Sequence, residues 1–306
     1  MYIGDTHICI CICTYKRPEL LGLLLKKLRD QKTDGLFSYS VVVVDNDHEQ
    51  SAKSVVTNLQ VGSFIDIAYY VENERNIAIA RNKAVQNAIG NFIAFIDDDE
   101  FPVNDWLLNL YNTYNKYNAD GVLGAVIPHF EEKPPDWILK GKLCERPVYE
   151  PGTVLHWSNT RTGNVLLRKK ILEGREYAFD PAFGAGGEDV NFFKEMQAKG
   201  YVFIWCNNAP VYEVVPVHRC TKKYFLRRAF LQGNISLQYH KNVLDFRHKV
   251  KIFIKTLTAF ILYTLMLPFV YLGGVHIFMK YLIKDLHHIS RFLALLRIVV
   301  VKKRDF

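Results

Sequence analysis

Four consecutive valines at positions 41–44, ending in Asp45-Asn46-Asp47, constrain the fold more than any other stretch of this chain. A β-branched run with no polar alternate suits a strand buried on both faces, and such strands belong to parallel sheets covered by helices. Strand-like runs recur at His7 to Thr14, 65–71, 92–96 and 121–126. Helical patterns separate them: Pro18 opens one through Leu20, Leu21, Leu24, Leu25 and Leu28, a second covers 76–89 and stops at Gly90, and a third covers 104–117. Strands alternating with helices at these lengths imply right-handed βαβ units, so the fold class is α/β with a Rossmann-like, mainly parallel sheet and flanking helices.

At 306 residues with 49% hydrophobic positions the chain can bury a large core, and three consecutive parts are expected. Residues 1–127 form the first half of an α/β domain. Residues 128–217 form its second half: an irregular excursion rich in Pro, Glu and Lys up to 153, then a strand at 162–168, a glycine loop at 183–187, a helix at 188–199 ended by Gly200, and two strands at 201–206 and 210–215. Residues 218–306 are a basic helical region, holding 17 Lys and Arg against 3 acids.

Acids fall where the strands end. Asp97-Asp98-Asp99-Glu100 follow the apolar 92–96 run, Asp45 follows the valines, and Glu188-Asp189 follow the glycine loop. Ligands of open α/β sheets bind at the carboxyl edge of the strands, and clustered carboxylates there suit a hard divalent cation, Mg²⁺ or Mn²⁺, completed by substrate phosphates. A solvated acidic turn is the plainer account of any one cluster; three at one edge argue against it. Asp189, away from the metal cluster, has the chemistry of a general base, while a helix-start acid also serves as a cap. The glycines at 184, 186 and 187 are not followed by Gly-Lys-Ser/Thr, so they do not make a Walker loop.

The net charge of +8 belongs to the tail, which makes nucleic acid an unsuitable partner. The tail includes 24 residues, 256–279, without Asp, Glu, Lys or Arg, interrupted by Pro268 and Gly273-Gly274. Such a run admits an interfacial or re-entrant helical hairpin, a transmembrane helix, or a buried soluble helix. Beyond it, Leu282, Ile283, Leu286, Ile289, Leu293 and Leu296 recur at helical spacing beside Lys284, His287, His288, Arg291 and Arg297, the pattern of an amphipathic helix on an anionic membrane surface or of a core-packing helix with a basic face. The chain passes from Met1 through a polar turn into a strand without a secretory pattern, which predicts a cytosolic bulk. Cys9, Cys11 and Cys13 alternate with isoleucines and read as reduced core thiols; no Cys/His pair follows at zinc-like spacing.

In order, these motifs resemble the family 2 inverting glycosyltransferases of GT-A fold. Ile10 to Pro18, with Thr14, Tyr15 and Arg17, looks like the first strand and nucleotide loop; Val43-Val44-Asp45-Asn46 like the second strand with its base- or ribose-binding Asp; Asn76 with Ala80-Arg81-Asn82 like the helix facing the nucleotide. Asp97-Asp98-Asp99 resembles the DXD metal motif, while Gly163-Asn164 and Gly187-Glu188-Asp189 resemble the acceptor strand and the ED motif whose Asp is the base. The resemblance covers residues 7–234 and extends, through Glu213 to Arg219 and Leu226-Arg227-Arg228, to enzymes that build bacterial surface polysaccharide on a lipid-linked acceptor. Arg227-Arg228-Ala229-Phe230 replaces the processive Gln-x-x-Arg-Trp signature, which implies one sugar per event.

The resemblance thus implies a GT-A domain with a C-terminal membrane-associated helical module at the cytoplasmic face of the inner membrane. Its partners would be a nucleotide-sugar donor, a lipid-linked or glycan acceptor and an anionic membrane surface. Thr14, Tyr15, Arg17, Asp45, Asn76, Arg81, Asp97 and Asp98 would hold the donor, Asn164, Gly187 and Glu188 would face the acceptor, Asp189 would be the base, and Asp97 and Asp99 would hold the metal. His218 is either a further metal or diphosphate ligand or surface charge. The rivals are a sugar nucleotidyltransferase, whose Gly-rich loop would stand where Thr14 to Pro18 stand, and a non-catalytic sugar-nucleotide-binding membrane scaffold.

Overall fold

The computed structural model describes residues 6–60, 65–184, 186–238, 246–296, 298, 300 and 301. Ala185 of the glycine loop, Arg297 of the terminal helix and the opening turn at 1–5 lie outside these. Two compact units divide the chain: Met1–Ile127 with Arg146–Glu213, and Pro128–Glu145 with Val214–Phe306.

In chain order the elements are β1 (His7–Thr14), α1 (Pro18–Leu28), β2 (Ser38–Asp45), α2 (Lys53–Gln60), β3 (Ile67–Val71), α3 (Ile77–Asn87), β4 (Phe92–Phe95), β5 (Glu100–Pro102), α4 (Trp106–Tyr117), β6 (Gly121–Phe130), α5 (Asp136–Gly141), β7 (Val165–Arg168), α6 (Glu188–Ala198), β8 (Phe203–Val215), α7 (Lys222–Gln238), α8 (Phe246–Leu272) and α9 (Val275–Leu295). The sheet runs β3-β2-β1-β4-β7-β6-β8-β5.

Its first four strands are parallel, as the valine run implies. From β7 onward the pairings β4–β7, β6–β7 and β5–β8 are antiparallel. The sheet is therefore mixed: the mainly parallel expectation describes the β3-β2-β1-β4 half.

Period-two alternation in β1 divides the core of the first unit into two layers. Ile8, Ile10 and Ile12 join Leu21, Leu24, Leu25 and Leu28 of α1 on one face, while Cys9 and Cys11 join Ala78, Ala80, Ala84 and Ala88 on the other. Each fully buried leucine contributes roughly 1.5–3 kcal/mol. The alanine face lets α3 approach closely, and Cys11 Sγ lies 3.7 Å from the Ala84 carbonyl. Burial pushes the Cys13 thiol up to about 12, so it stays protonated.

Two expected strands merge into the single 13-residue β8. Asn207-Asn208 lies between the two expected strands; Trp205 Nε1 donates to the Asn207 side chain and Asn109 donates to the Asn208 carbonyl, so the polar pair is satisfied without a break. The short strand β5 and the helices α2 and α5 were not expected.

In the second unit α9 packs against α5, α7 and α8, around Ile138, Phe225 and Met279. Gly233 permits the α7–α9 approach, because a Cβ there would lie 2.4 Å from the His287 carbonyl oxygen. The apolar run folds as a helical pair whose break falls at Gly273-Gly274, while Pro268 is accommodated inside α8. Residues 250–272 are long and apolar enough to cross a membrane by length and composition, and Leu262, Leu265, Phe269 and Leu272 are each more than half exposed.

Candidate functional site

Strand register brings the ligand-edge residues together. Thr14 pairs with Asp45 across β1 and β2, and Cys11 pairs with Phe95 across β1 and β4, so the acids after β4 emerge beside the end of β1. The Thr14 hydroxyl donates to Asp98 at 2.8 Å. Arg17, at the entrance to α1, donates to Asp98 at 3.0 Å and to Asp99 at 2.9 Å. Burial pushes the Asp98 carboxyl up to about 6 against the pull of Arg17. Between Thr14 and Arg17, the Tyr15 ring lies 4.6 Å from the Arg75 guanidinium and Lys16 adopts φ 53.

Asp97 faces the other way. Phe95 pairs with Val165 antiparallel, which sets Asp97 opposite Gly163, and a Cβ on Gly163 would lie 3.1 Å from Asp97 Oδ2 and 2.8 Å from Glu100 Oε1. Only a residue without a side chain leaves this space open. The Asp97 carboxylate is 44% exposed and is held through Oδ1 by Arg81 at 3.3 Å. Arg81 also binds Glu188, buried at the start of α6, so one guanidinium ties the 97–99 acids to the 188–189 acids.

Asp189 occupies the first turn of α6 and is half-buried, its Oδ1 2.7 Å from the Val190 amide. The N-cap is Gly187 at φ 93 with no side-chain cap bond. Glu188 answers Arg81, whereas Asp189 accepts from a first-turn amide of α6 and remains partly open to solvent.

Several expected ligand contacts turn out to be used inside the protein. Asp45 is fully buried and accepts from the Asp47 and Ala52 amides and the Tyr69 hydroxyl, so it shapes the turn after β2. The Asn76 side chain caps α3 by accepting from Ala78 and Ile79 and donates to the Pro181 carbonyl. Asn164, fully buried at φ 62, accepts from Trp106 Nε1 at 2.7 Å and donates to the Ala125 and Ala209 carbonyls at 2.8 Å each. These three residues position the edge; their polar groups do not point into open space. His218 is exposed on a 3₁₀ turn, Val217–Arg219, of the second unit, whereas Asp97 and Asp99 belong to the first.

Sequence reasoning missed a second polar cluster. Glu100 is fully buried, accepts from the Asp97 amide at 3.0 Å, and leaves Oε1 without a partner among the described residues. Burial and the neighbouring Asp97 push its carboxyl well above the usual carboxylate range. It pairs in register with Glu213 of β8, which binds Arg146. Arg161 and the buried Thr162 hydroxyl stand on the same segment as Gly163. No spacing rule unites these residues: antiparallel pairing joins Glu100 to Glu213, and an ion pair adds Arg146.

The resemblance implies a divalent cation. Among the described residues no three His, Cys, Asp or Glu side chains converge as a ready set. The open Asp97 carboxylate and the unpartnered Glu100 oxygen beside it are nonetheless hard oxygen donors, suited to an ion whose remaining ligands are phosphate oxygens and water. Asp99 is engaged by Arg17.

Residues 9–174 match the glycosyl transferase family 2. The chain is 36% identical over 232 residues to succinoglycan biosynthesis protein ExoM of Rhizobium meliloti, covering 74% of this chain and 73% of that protein. It is 28% identical over 211 residues to a glucosyl-dolichyl phosphate glucuronosyltransferase of Haloferax volcanii, covering 67% and 61%. The S. aureus TarS structure with UDP shares the fold at TM-score 0.54 and 14% identity, over 94% of this chain and 91% of that one; the same protein has also been solved with UDP-GlcNAc.

Proposed function

Since the chain belongs to glycosyl transferase family 2 and is a glycosyltransferase of polysaccharide biosynthesis, we propose that it moves a hexose from a UDP-sugar to a hydroxyl of a lipid-linked glycan. The reaction would invert the anomeric centre and give a β-glycoside from an α-linked donor. What chiefly supports this reading is the Arg81 bridge, which joins an open carboxylate at the sheet edge to the helix start carrying a second, separate acid. Leaving-group binding and proton removal need two such places about one sugar apart.

The Thr14 to Arg17 loop would hold the nucleoside diphosphate, with Asp45 keeping the neighbouring turn in shape. Asp97, with Asp99 once Arg17 is drawn to phosphate, would hold Mg²⁺ or Mn²⁺; when bound, the cation offsets charge developing on the leaving diphosphate. Asp189 would accept the acceptor hydroxyl's proton as the oxygen attacks from the face opposite the diphosphate. A positioned base of this kind contributes roughly 10²–10⁴ in rate. Acceptor lipid linkage draws on the name of the Haloferax relative, and UDP on the TarS complexes.

Residence at the cytoplasmic face of the inner membrane is part of the proposal, supported by the exposed apolar side of α8 and the basic tail. The full chain should float with vesicles containing anionic lipid; a chain equally soluble without detergent or lipid would refute this.

Titration of a nucleotide-sugar panel tests the donor, with UDP-hexoses expected to bind and hydrolyse slowly. Asp189→Asn should lower transfer about 10²–10⁴-fold while donor affinity holds. Unchanged turnover would remove Asp189 from its role.

A further inference from the structure

Arg161 makes no hydrogen bond and no ion pair among the described residues, although it is partly buried and buried charge is normally paired. It lines a narrow cleft with Arg146, Tyr149, Asn159 and Trp205. Arg146 is matched by Glu213; Arg161 has no such partner, and the two guanidinium groups repel. The acids that act on it, Asp189, Glu100 and Glu213, do so at a distance, and Glu100 is pushed by burial toward its neutral form.

An arginine without an ion pair beside a second arginine, in a cleft also lined by Asn159, has the donor set of an oxyanion site. The cleft has a volume of about 10 Å³, room for an oxygen atom rather than a sugar ring. Its position names the substrate concerned. Arg161 precedes β7, so the acid cluster after β4 lies between it and the Thr14 and Asp45 strand ends on which the donor loops stand. The proposed base Asp189 is among the acids near enough to act on its charge through space.

We propose that Arg161, aided by Arg146, binds an oxyanion carried by the acceptor, a phosphate or a carboxylate, and thereby orients the acceptor hydroxyl toward Asp189. Arg161 is a positioning residue in this account. The inference rests on the glycosyltransferase reading above for the identity of the acceptor, but the anion site stands on its own geometry.

The test uses the full chain in detergent, saturated with UDP and Mg²⁺ so that the donor site is filled. Inorganic phosphate, glucuronate and neutral methyl glucoside are then titrated by calorimetry. Phosphate or glucuronate should bind once per chain; preference for phosphate indicates a phosphoryl acceptor group, and preference for glucuronate a uronic acid. Arg161→Gln should weaken that binding about tenfold or more and leave UDP affinity unchanged. Arg161→Lys, which keeps the charge without the two-pronged donor, should fall between, and it carries the test if the glutamine variant does not fold. Equal binding of methyl glucoside, retention of anion binding by both variants, or displacement of phosphate by UDP would overturn the proposal. Failure of the wild type to bind UDP, with anion binding still dependent on Arg161, would bring down the nucleotide-sugar reading and leave this site intact.

Discussion

The two halves of the sheet place function differently. In the parallel half, β3-β2-β1-β4, polar groups collect at strand ends while the strands themselves are apolar, so Thr14, Asp45 and Asp97 to Asp99 stand at one edge by register alone. In the antiparallel half, Glu100, Asn164 and Glu213 lie within or beside paired strands, and their groups meet partners far away in sequence. A parallel sheet therefore displays its site at its margin, whereas the antiparallel half builds part of the site into its body. Arg81 reaches from the first half to the start of α6 and couples the two arrangements.

That coupling predicts the largest stability effect. Arg81→Met would leave Glu188 buried without its counter-charge, a loss of about 3–5 kcal/mol in chemical denaturation. A melting curve close to wild type would show that the halves are independent. Next comes Asn164→Ala, which orphans Trp106 Nε1 and two buried carbonyls and places alanine at φ 62; roughly 2–4 kcal/mol is expected, with donor affinity little changed because the defect lies in the antiparallel half. If donor binding collapses instead, the two halves share more than Arg81.

A conservative change in the parallel half should cost less. Asp45→Asn keeps the volume but can serve only part of a three-donor arrangement, so about 1–3 kcal/mol is expected, together with weaker UDP binding as the turn after β2 loosens. The smallest effect concerns His7 at the opposite end of β1, whose ring nitrogens meet the Ser38 and Ser40 hydroxyls at 2.8 Å. Burial holds its pKa below the ordinary value. A depressed base favours the folded state above its unfolded pKa of about 6.5, and that contribution is lost as pH falls through the lower folded value. Wild-type stability should thus decline on acidification in a step that His7→Gln lacks, with transfer at neutral pH unaffected; identical pH profiles would remove His7 as the cause.

How much of this was legible follows from the same contrast. The valine run, the Ile/Cys alternation of β1 and the leucines of α1 could be read directly, because burial on both faces and helical spacing leave local patterns. The acids at 97–99 could be read for the same reason, since an apolar run ends in them, and those at 188–189 because they follow the glycine loop at a helix start. Asn164 and Asn76 were recognised as special positions, but not that their amides are spent on Trp106 and on the cap of α3. The union of the two expected strands into β8 was not legible, because the Asn208 carbonyl is satisfied by Asn109, far away in the chain.

By itself, the sequence determined the parallel half, the edge at which ligands would sit, and an apolar segment near the C-terminus too long to be ignored; each depends on periodicity or on a run of like residues. Only the tertiary structure decided the reversal of strand direction after β4, the bridge made by Arg81, the sequestration of Glu100 and the lack of an ion pair on Arg161 among the described residues. Those depend on which distant strands pair and in what register, and a change of one residue in register sends every side chain to the opposite face.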